Sequence, residues 1–287
     1  MPVTEKELKA LISLLDDDNH TVSRLVREKF LEIGADAKPY LARASEMDAT
    51  LVRSRAQSIL EEIRFVELER EVGSFAARAV DLARLEEGAF LVARFGYPDL
   101  DSARYARLLD EMAGELSARL EGKRSGLAIL RSFADFLFDE LGFTGNSLDY
   151  YDPDNSYVNR VLDRRAGIPI TLSLVYLFLA RRVGLAMEGI GLPGHFVVRL
   201  AGPEAELYVD AYDSGRVLSR AECARFVVSA GYEPRPEFFA PSSPRDILAR
   251  MLRNLVHVYR EGNDKRRVDC LTRLAAAINT PPALENR

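Results

Sequence analysis

Apolar side chains recur at three- and four-residue intervals from the start of the chain to about residue 140, the period of helices with one buried face. Leu8, Leu11, Ile12 and Leu15 make one stripe, broken by the polar run DDDNH at 16–20. Val22, Leu25, Val26, Phe30 and Ile33 make a second, closed by Gly34 as a C-cap. A short piece spans Lys38 to Ala44, and Leu51, Ala56, Ile59, Leu60 and Ile63 form the next stripe. Leu82, Leu85, Phe90, Leu91 and Phe95 mark a helix ending at Gly96. Tyr105, Leu108, Leu109, Met112 and Leu116 mark another, for which Asp101 or Ser102 is the expected cap. After the solvated loop at 121–126, Phe133, Phe136, Leu137 and Leu141 face inward from one more helix.

The periodicity stops at GFTGNSLDYYDPDNSY (142–157), where Gly, Asn, Asp and Pro interleave with Phe143, Tyr150, Tyr151 and Tyr157. That mixture predicts an ordered, packed loop. Its Asn and Asp side chains either satisfy their own backbone or, at Asn155 and Tyr157, line a binding surface. Arg164-Arg165-Ala166-Gly167-Ile168-Pro169 then leads into a helix that is apolar nearly all round and ends at Gly184, so it is expected to be central. Pro169 suits its first turn, where a missing N–H costs nothing. Strands follow: Met187 to Leu192, His195 to Leu200, and Ala205 to Ala211, the last two joined through Gly-Pro-Glu at 202–204. A short helix begins near Arg220, and PRPEFFAPSSPRD (234–246) reads as a linker across a surface. Two helices from Arg245 onward close the chain. The fold class is α+β, mostly helical, with a small antiparallel sheet.

The phrases at 16–34 and 46–63 are weakly similar to each other, and such antiparallel pairs resemble HEAT-type repeats; a plain helical hairpin explains them equally. The last two helices have the size of a tetratricopeptide unit. The expected division is a helical segment at 1–70, a central domain at 71–240 and a helical hairpin at 241–287.

Composition narrows the function classes. The formal net charge of −5 argues against a general nucleic-acid binder. Arg245 to Arg273 holds eight basic and four acidic residues, a bias expected of a solvated face and, alternatively, of a nucleic-acid or partner site. No apolar run approaches the roughly 20 residues that span a bilayer, and MPVTEKELK lacks a secretory core. The two cysteines, Cys223 and Cys270, have no metal-ligand spacing, so a reduced cytoplasmic protein is expected. His20 and His257 belong to distant helices, and neither a metal nor another cofactor is expected. Nothing in the sequence bears on oligomeric state.

The chemistry gathers between Asn155 and Asp210. His195 begins one strand and Asp210 lies near the end of its partner, so the two face each other across a hairpin, close to the helix start at Gly167-Ile168-Pro169. A thiol at that helix start would complete a Cys-His-Asp site. Neither cysteine is near it, and Thr171 and Ser173 are the nearest hydroxyls. His195 and Asp210 read first as a satisfied structural pair, next as a binding site, and last as a catalytic pair using another nucleophile.

Phe143-Thr144-Gly145-Asn146, Tyr150-Tyr151-Asp152-Pro153, Asn155-Ser156-Tyr157, Arg164-Arg165, Gly167-Ile168-Pro169-Ile170 and Pro193-Gly194-His195-Phe196 resemble the SirB-type branch of the transglutaminase-like superfamily. The resemblance extends from about Glu86 into the C-terminal hairpin. It implies a papain-like core, with a central helix packed on an antiparallel sheet. Competent members carry Gly-x-Cys at the start of that helix and an Arg and Gly near its end. Counting back from Arg181 and Gly184 places the cysteine on Pro169, while the histidine and aspartate fall on His195 and Asp210. The resemblance therefore implies a domain without its nucleophile, acting in protein interaction or regulation on a protein or peptide partner. Asn155, Tyr157, Arg164, Pro169, His195 and Asp210 are the expected binding residues. The alternative is a hydrolase or acyl transferase working through His195 and Asp210 with Thr171, Ser173 or water.

Overall fold

A computed structural model describes residues 3–202 and 206–280. It divides into two compact units, Met1–Glu71 and Val72–Arg287. The first is built from α1 (Glu5–Ser13), α2 (His20–Ile33), α3 (Lys38–Ala44) and the first part of α4 (Thr50–Ala76). Thr4 caps α1 in a reciprocal box with Glu7, and Asn19 caps α2, so the polar run at 16–20 is a helix start as well as a break. Leu8, Leu15, Phe30, Leu41, Ala56 and Ile63 meet in its core. Leu25, expected in the buried stripe of α2, is 54% exposed. Its period fits the stripe, but no neighbouring helix covers that edge.

The second unit begins within α4 and continues through α5 (Leu85–Ala93), α6 (Ser102–Leu120) and α7 (Gly126–Ala134), which runs on as one π turn at Asp135–Glu140. Asp101 caps α6 through the Arg104 N–H, as the sequence leads one to expect. Leu82 precedes α5 instead of belonging to it and is largely exposed. Then come β1 (Thr144–Gly145), α8 (Val158–Arg164), β2 (Ala166–Gly167) and α9 (Pro169–Arg182). Every residue of α9 from Pro169 to Ala180 is buried. Gly184 ends it at φ +73°, a conformation only glycine adopts without strain, and the Leu185 N–H bonds back to Ala180 O.

A four-stranded antiparallel meander packs against this helix. Its strands are β3 (Met187–Ile190), β4 (Val197–Leu200), β5 (Leu207–Asp210) and β6 (Arg216–Leu218), in that spatial order, with β3 and β4 against α9. Residues 203–205, which hold part of the expected turn and the first residue of the expected strand, lie outside the described residues. The strands are shorter than their apolar patterns: the turn before β4 takes up His195, and the Asp210 side chain turns the chain after β5. α10 (Arg220–Ser229), α11 (Pro244–Glu261) and α12 (Lys265–Asn279) complete the unit.

The proline-rich stretch at 234–246 is not a free linker. Phe239 is buried, Pro241 bridges Ile190, and the Ser242 N–H donates to Gly189 O, so the segment covers the outer edge of β3. Proline suits such an edge because it offers no outward N–H to pair with another strand. The basic run that follows is likewise not uniformly solvated. Arg245 donates to four carbonyls, those of Ile278 (2.7 Å), Thr280 (3.1 Å), Ala76 (2.6 Å) and Arg78 (3.0 Å), and so ties three segments of the unit together. Arg245→Ala should destabilise the protein by about 1–3 kcal/mol, because partly buried carbonyls lose their donor. Arg225→Ala, at an exposed pair with Glu222, should cost under about 0.5 kcal/mol. Urea unfolding of the two variants checks the contrast.

Candidate functional site

His195 is placed by a tight turn. Leu192-Pro193-Gly194-His195 is closed by the His195 N–H on Leu192 O (3.2 Å), with Gly194 at φ +72°. Proline followed by a positive-φ glycine is the composition of a type II turn. Pairing of Val198 with Val209 and Arg199 with Tyr208 aligns β4 and β5 so that Asp210, the last residue of β5, reaches back to His195. The His195 Nε2–Asp210 Oδ2 distance is 2.7 Å. Asp210 Oδ1 accepts from the backbone N–H of Tyr212 (3.0 Å) and Asp213 (3.3 Å), so the carboxylate is fixed on both sides. A carboxylate accepts, so Nε2 is the donor in this contact. Asp210 is 4% exposed at its side chain and His195 12%. The imidazole stacks on Phe226 (4.6 Å between centroids) and meets Tyr212 edge-on (6.5 Å).

The start of α9 is joined to this pair through a second contact. β1 runs parallel to β2 with Gly145 opposite Gly167, two residues before Pro169. A Cβ on Gly145 would stand 2.6 Å from Tyr212 O and 2.7 Å from its ring, so only glycine lets the Tyr212 backbone approach. Thr171 Oγ1 accepts from the Ile168 N–H (3.2 Å) and donates to Asn155 O (2.7 Å), capping the helix from inside. Ser173, one turn along, is buried with its hydroxyl unpaired among the described residues. Pro169 itself is buried.

The remaining sequence-predicted residues lie in the loop before α8 and at the two ends of that helix. Asn155 is fully buried: its Nδ2 donates to Asp149 O (2.7 Å) and Tyr150 O (3.3 Å), and its Oδ1 accepts from Asn146 Nδ2 (3.0 Å). The Tyr157 hydroxyl pairs with that of Tyr259 at 3.0 Å, 1% exposed, and burial holds its pKa well above the usual phenol value. Arg164 bonds Asp152 at 2.6 Å and stands 3.3 Å from Asp154. Asp154 also accepts from Tyr97 and Arg160. Burial works to raise the Asp154 pKa, but these donors outweigh it and lower the value.

Neither thiol is placed to act as a nucleophile. Cys223 lies on α10 inside a core with Ile190, Leu192, Val197 and Tyr208. Burial first, and the nearby Asp210 charge second, push its pKa up to about 12. Cys270 is buried on α12.

Three contributors carried no readable signal. Arg250, on α11, donates from Nη1 to Leu192 O (3.0 Å) and from Nη2 to His195 O (2.7 Å), bracketing the turn that presents the histidine. Phe226 and Tyr212 sandwich the imidazole. Arg250 is more than fifty residues from the turn it holds, and no local pattern announces it.

A family model of the transglutaminase-like superfamily matches residues 103–253, more than half of the 287-residue chain, including the His195–Asp210 pair and the start of α9. The chain belongs to the transglutaminase-like superfamily. A UPF0162 protein of Xylella fastidiosa strain 9a5c is 37% identical over 207 residues, covering 69% of this chain and 74% of the relative. The UPF0162 protein PA3419 of Pseudomonas aeruginosa is 30% identical over 178 residues, covering 60% and 63%. Human F-box only protein 21 is 35% identical over 162 residues, 53% of this chain but only 25% of that protein. No solved structure matches. No helix among the described residues is long and apolar enough to cross a membrane.

With a pKa near 12, the Cys223 thiol is ionised to only ~10⁻⁴ at pH 8, and it is also shielded from solvent. Iodoacetamide at pH 8 should therefore leave it unmodified in the folded protein and label it after denaturation, as read by intact and peptide mass spectrometry.

Proposed function

We propose that this superfamily member lacks a nucleophile and acts without catalysis, its cleft serving to hold a protein or peptide partner in an interaction or regulatory role. The observation that carries the proposal is Pro169. By the family pattern it stands where the thiol belongs, and it offers neither a nucleophilic side chain nor an N–H for an oxyanion. The surrounding groups do not replace it: Thr171 spends its hydroxyl on Asn155 O, Ser173 is enclosed, and Cys223 is held protonated.

The finer likeness to SirB-type members rests on the motifs from Phe143 to Phe196. We read 1–70 as HEAT-like and 241–287 as a tetratricopeptide-like hairpin, extended helical surfaces of the kind that bind partners. Both cysteines are free, which fits a reducing compartment such as the cytoplasm.

A second reading, a hydrolase or acyl transferase, draws on the ordered His195–Asp210 pair, with the imidazole as the group that would move a proton from water or a hydroxyl. Turnover separates the two. Wild-type protein incubated with fluorogenic peptides and with an amide donor plus a primary amine should give no product above a His195→Ala control; turnover abolished by that substitution would overturn the non-catalytic reading. Pro169→Cys should gain a thiol whose alkylation is faster than that of an unfolded cysteine and depends on His195. No gain would sink the assignment of position 169. His195→Ala should lower the melting temperature, because the buried Asp210 loses a donor, and should also weaken partner capture at temperatures where the variant stays folded; unchanged capture there would assign the pair to the fold alone.

A further inference from the structure

The basic bias of α11 includes a defined surface beside His195. Arg250, Arg253 and His257 follow one another at three- and four-residue steps and so share a helix face. Arg253 and His257 are exposed, Arg250 partly so. Among the described residues no carboxylate pairs with any of the three. Burial first, and the Arg253 charge second, hold the Arg250 pKa below its usual value, and among the described residues Arg250 places two of its five N–H donors, on the carbonyls of Leu192 and His195.

Exposed aromatic rings continue the same surface. Tyr151, 56% exposed, packs edge-on against His257 with centroids 5.4 Å apart. Tyr150, 39% exposed, meets Tyr151 at 5.3 Å and Tyr212 at 6.1 Å. Tyr212 in turn meets His195 at 6.5 Å. Three chain segments therefore build one track of rings from α11 to the His195–Asp210 pair, with cations along one flank. Nearby acids are largely committed elsewhere: Asp152 to Arg164, Asp154 to Arg160, Asp210 to His195, Asp213 to Arg216. Asp149 is the exception, and it pairs with neither arginine.

We propose that this track binds an extended acidic segment of a protein partner, its carboxylates on Arg253 and the remaining donors of Arg250, its prolines or rings on Tyr150 and Tyr151. The assignment deepens the partner-binding reading above and rests on it. Guanidinium groups take carboxylates in forked hydrogen bonds, and exposed tyrosines bind proline and aromatic side chains at low entropic cost. A peptide fits better than a nucleic acid, because two guanidinium groups, one of them already holding the His195 turn, on a chain of net charge −5 neutralise too few phosphates.

The test uses the full chain and short fluorescein-labelled peptides of Glu, Pro and Tyr, with Gln or Lys replacing Glu as controls, read by fluorescence anisotropy. The acidic peptide should bind and the Gln and Lys versions should not. Arg253→Glu, at an exposed position that leaves packing intact, should weaken binding at least about tenfold, and Tyr151→Ala several-fold. Equal binding of the Gln peptide, indifference to Arg253→Glu, or no binding of the acidic peptide would overturn the assignment. Displacement of the peptide by a single-stranded oligonucleotide, or by millimolar inorganic phosphate, would overturn it in favour of a phosphate site. Mass spectrometry of the recovered peptide keeps the two readings apart. A peptide that binds and is cleaved or modified supports this site and overturns the non-catalytic reading; one that neither binds nor changes overturns this site alone.

Discussion

All-round burial of α9 is the constraint on which the second unit depends. A helix apolar on every face has no stable place at a surface, so other elements must enclose it. The sheet covers it through β3 and β4, and α6, α8 and α11 cover the rest. Enclosure also reaches its first turn, where unpaired backbone groups would otherwise meet water. Pro169 removes one donor. The Ile168 N–H goes to Thr171 Oγ1, and Gly167 O takes the Asn146 N–H at 2.9 Å. These bonds require the 142–157 loop to be ordered, and Asn155 orders it from within. Its Gly- and Asn-rich sequence therefore follows from having to satisfy a helix start far from solvent.

That origin explains which parts of the site could be read from sequence. The central helix, the Pro-Gly turn and the acid after an apolar strand are local patterns, and each appears within two residues of its expected place. What escaped the sequence is long-range or very short. The β1–β2 pairing involves two residues on each side and leaves no period to detect. Arg250 reaches the His195 turn from a separate helix, and in the one-dimensional pattern it is an ordinary polar position of an amphipathic stripe. The proline-rich stretch at 234–246 has a linker's composition, yet the same composition protects a sheet edge. Leu25 and Leu82 err the other way, since their period matches a buried face that no neighbour is there to complete.

The His195–Asp210 pair divides into two halves with different physical roles. Asp210 is almost wholly buried and accepts from two backbone N–H groups as well as from the imidazole. It holds the turn after β5, and removing its histidine would leave a buried carboxylate oxygen without a donor, a costly state. The persistence of the pair therefore needs no catalytic cause. His195 is the half the fold does not account for. Among the described residues only one of its ring nitrogens has a hydrogen-bond partner, its side chain is 12% exposed, and two aromatic rings and the Arg250 clamp fix its direction. A histidine serving burial alone would not need a cation committed to its backbone. Pro169 stands apart from the pair in kind: it starts the helix, where its missing N–H costs nothing, and brings no polar side-chain atom to the site. What the fold presents here is an oriented, partly open imidazole at the end of a track of aromatic rings.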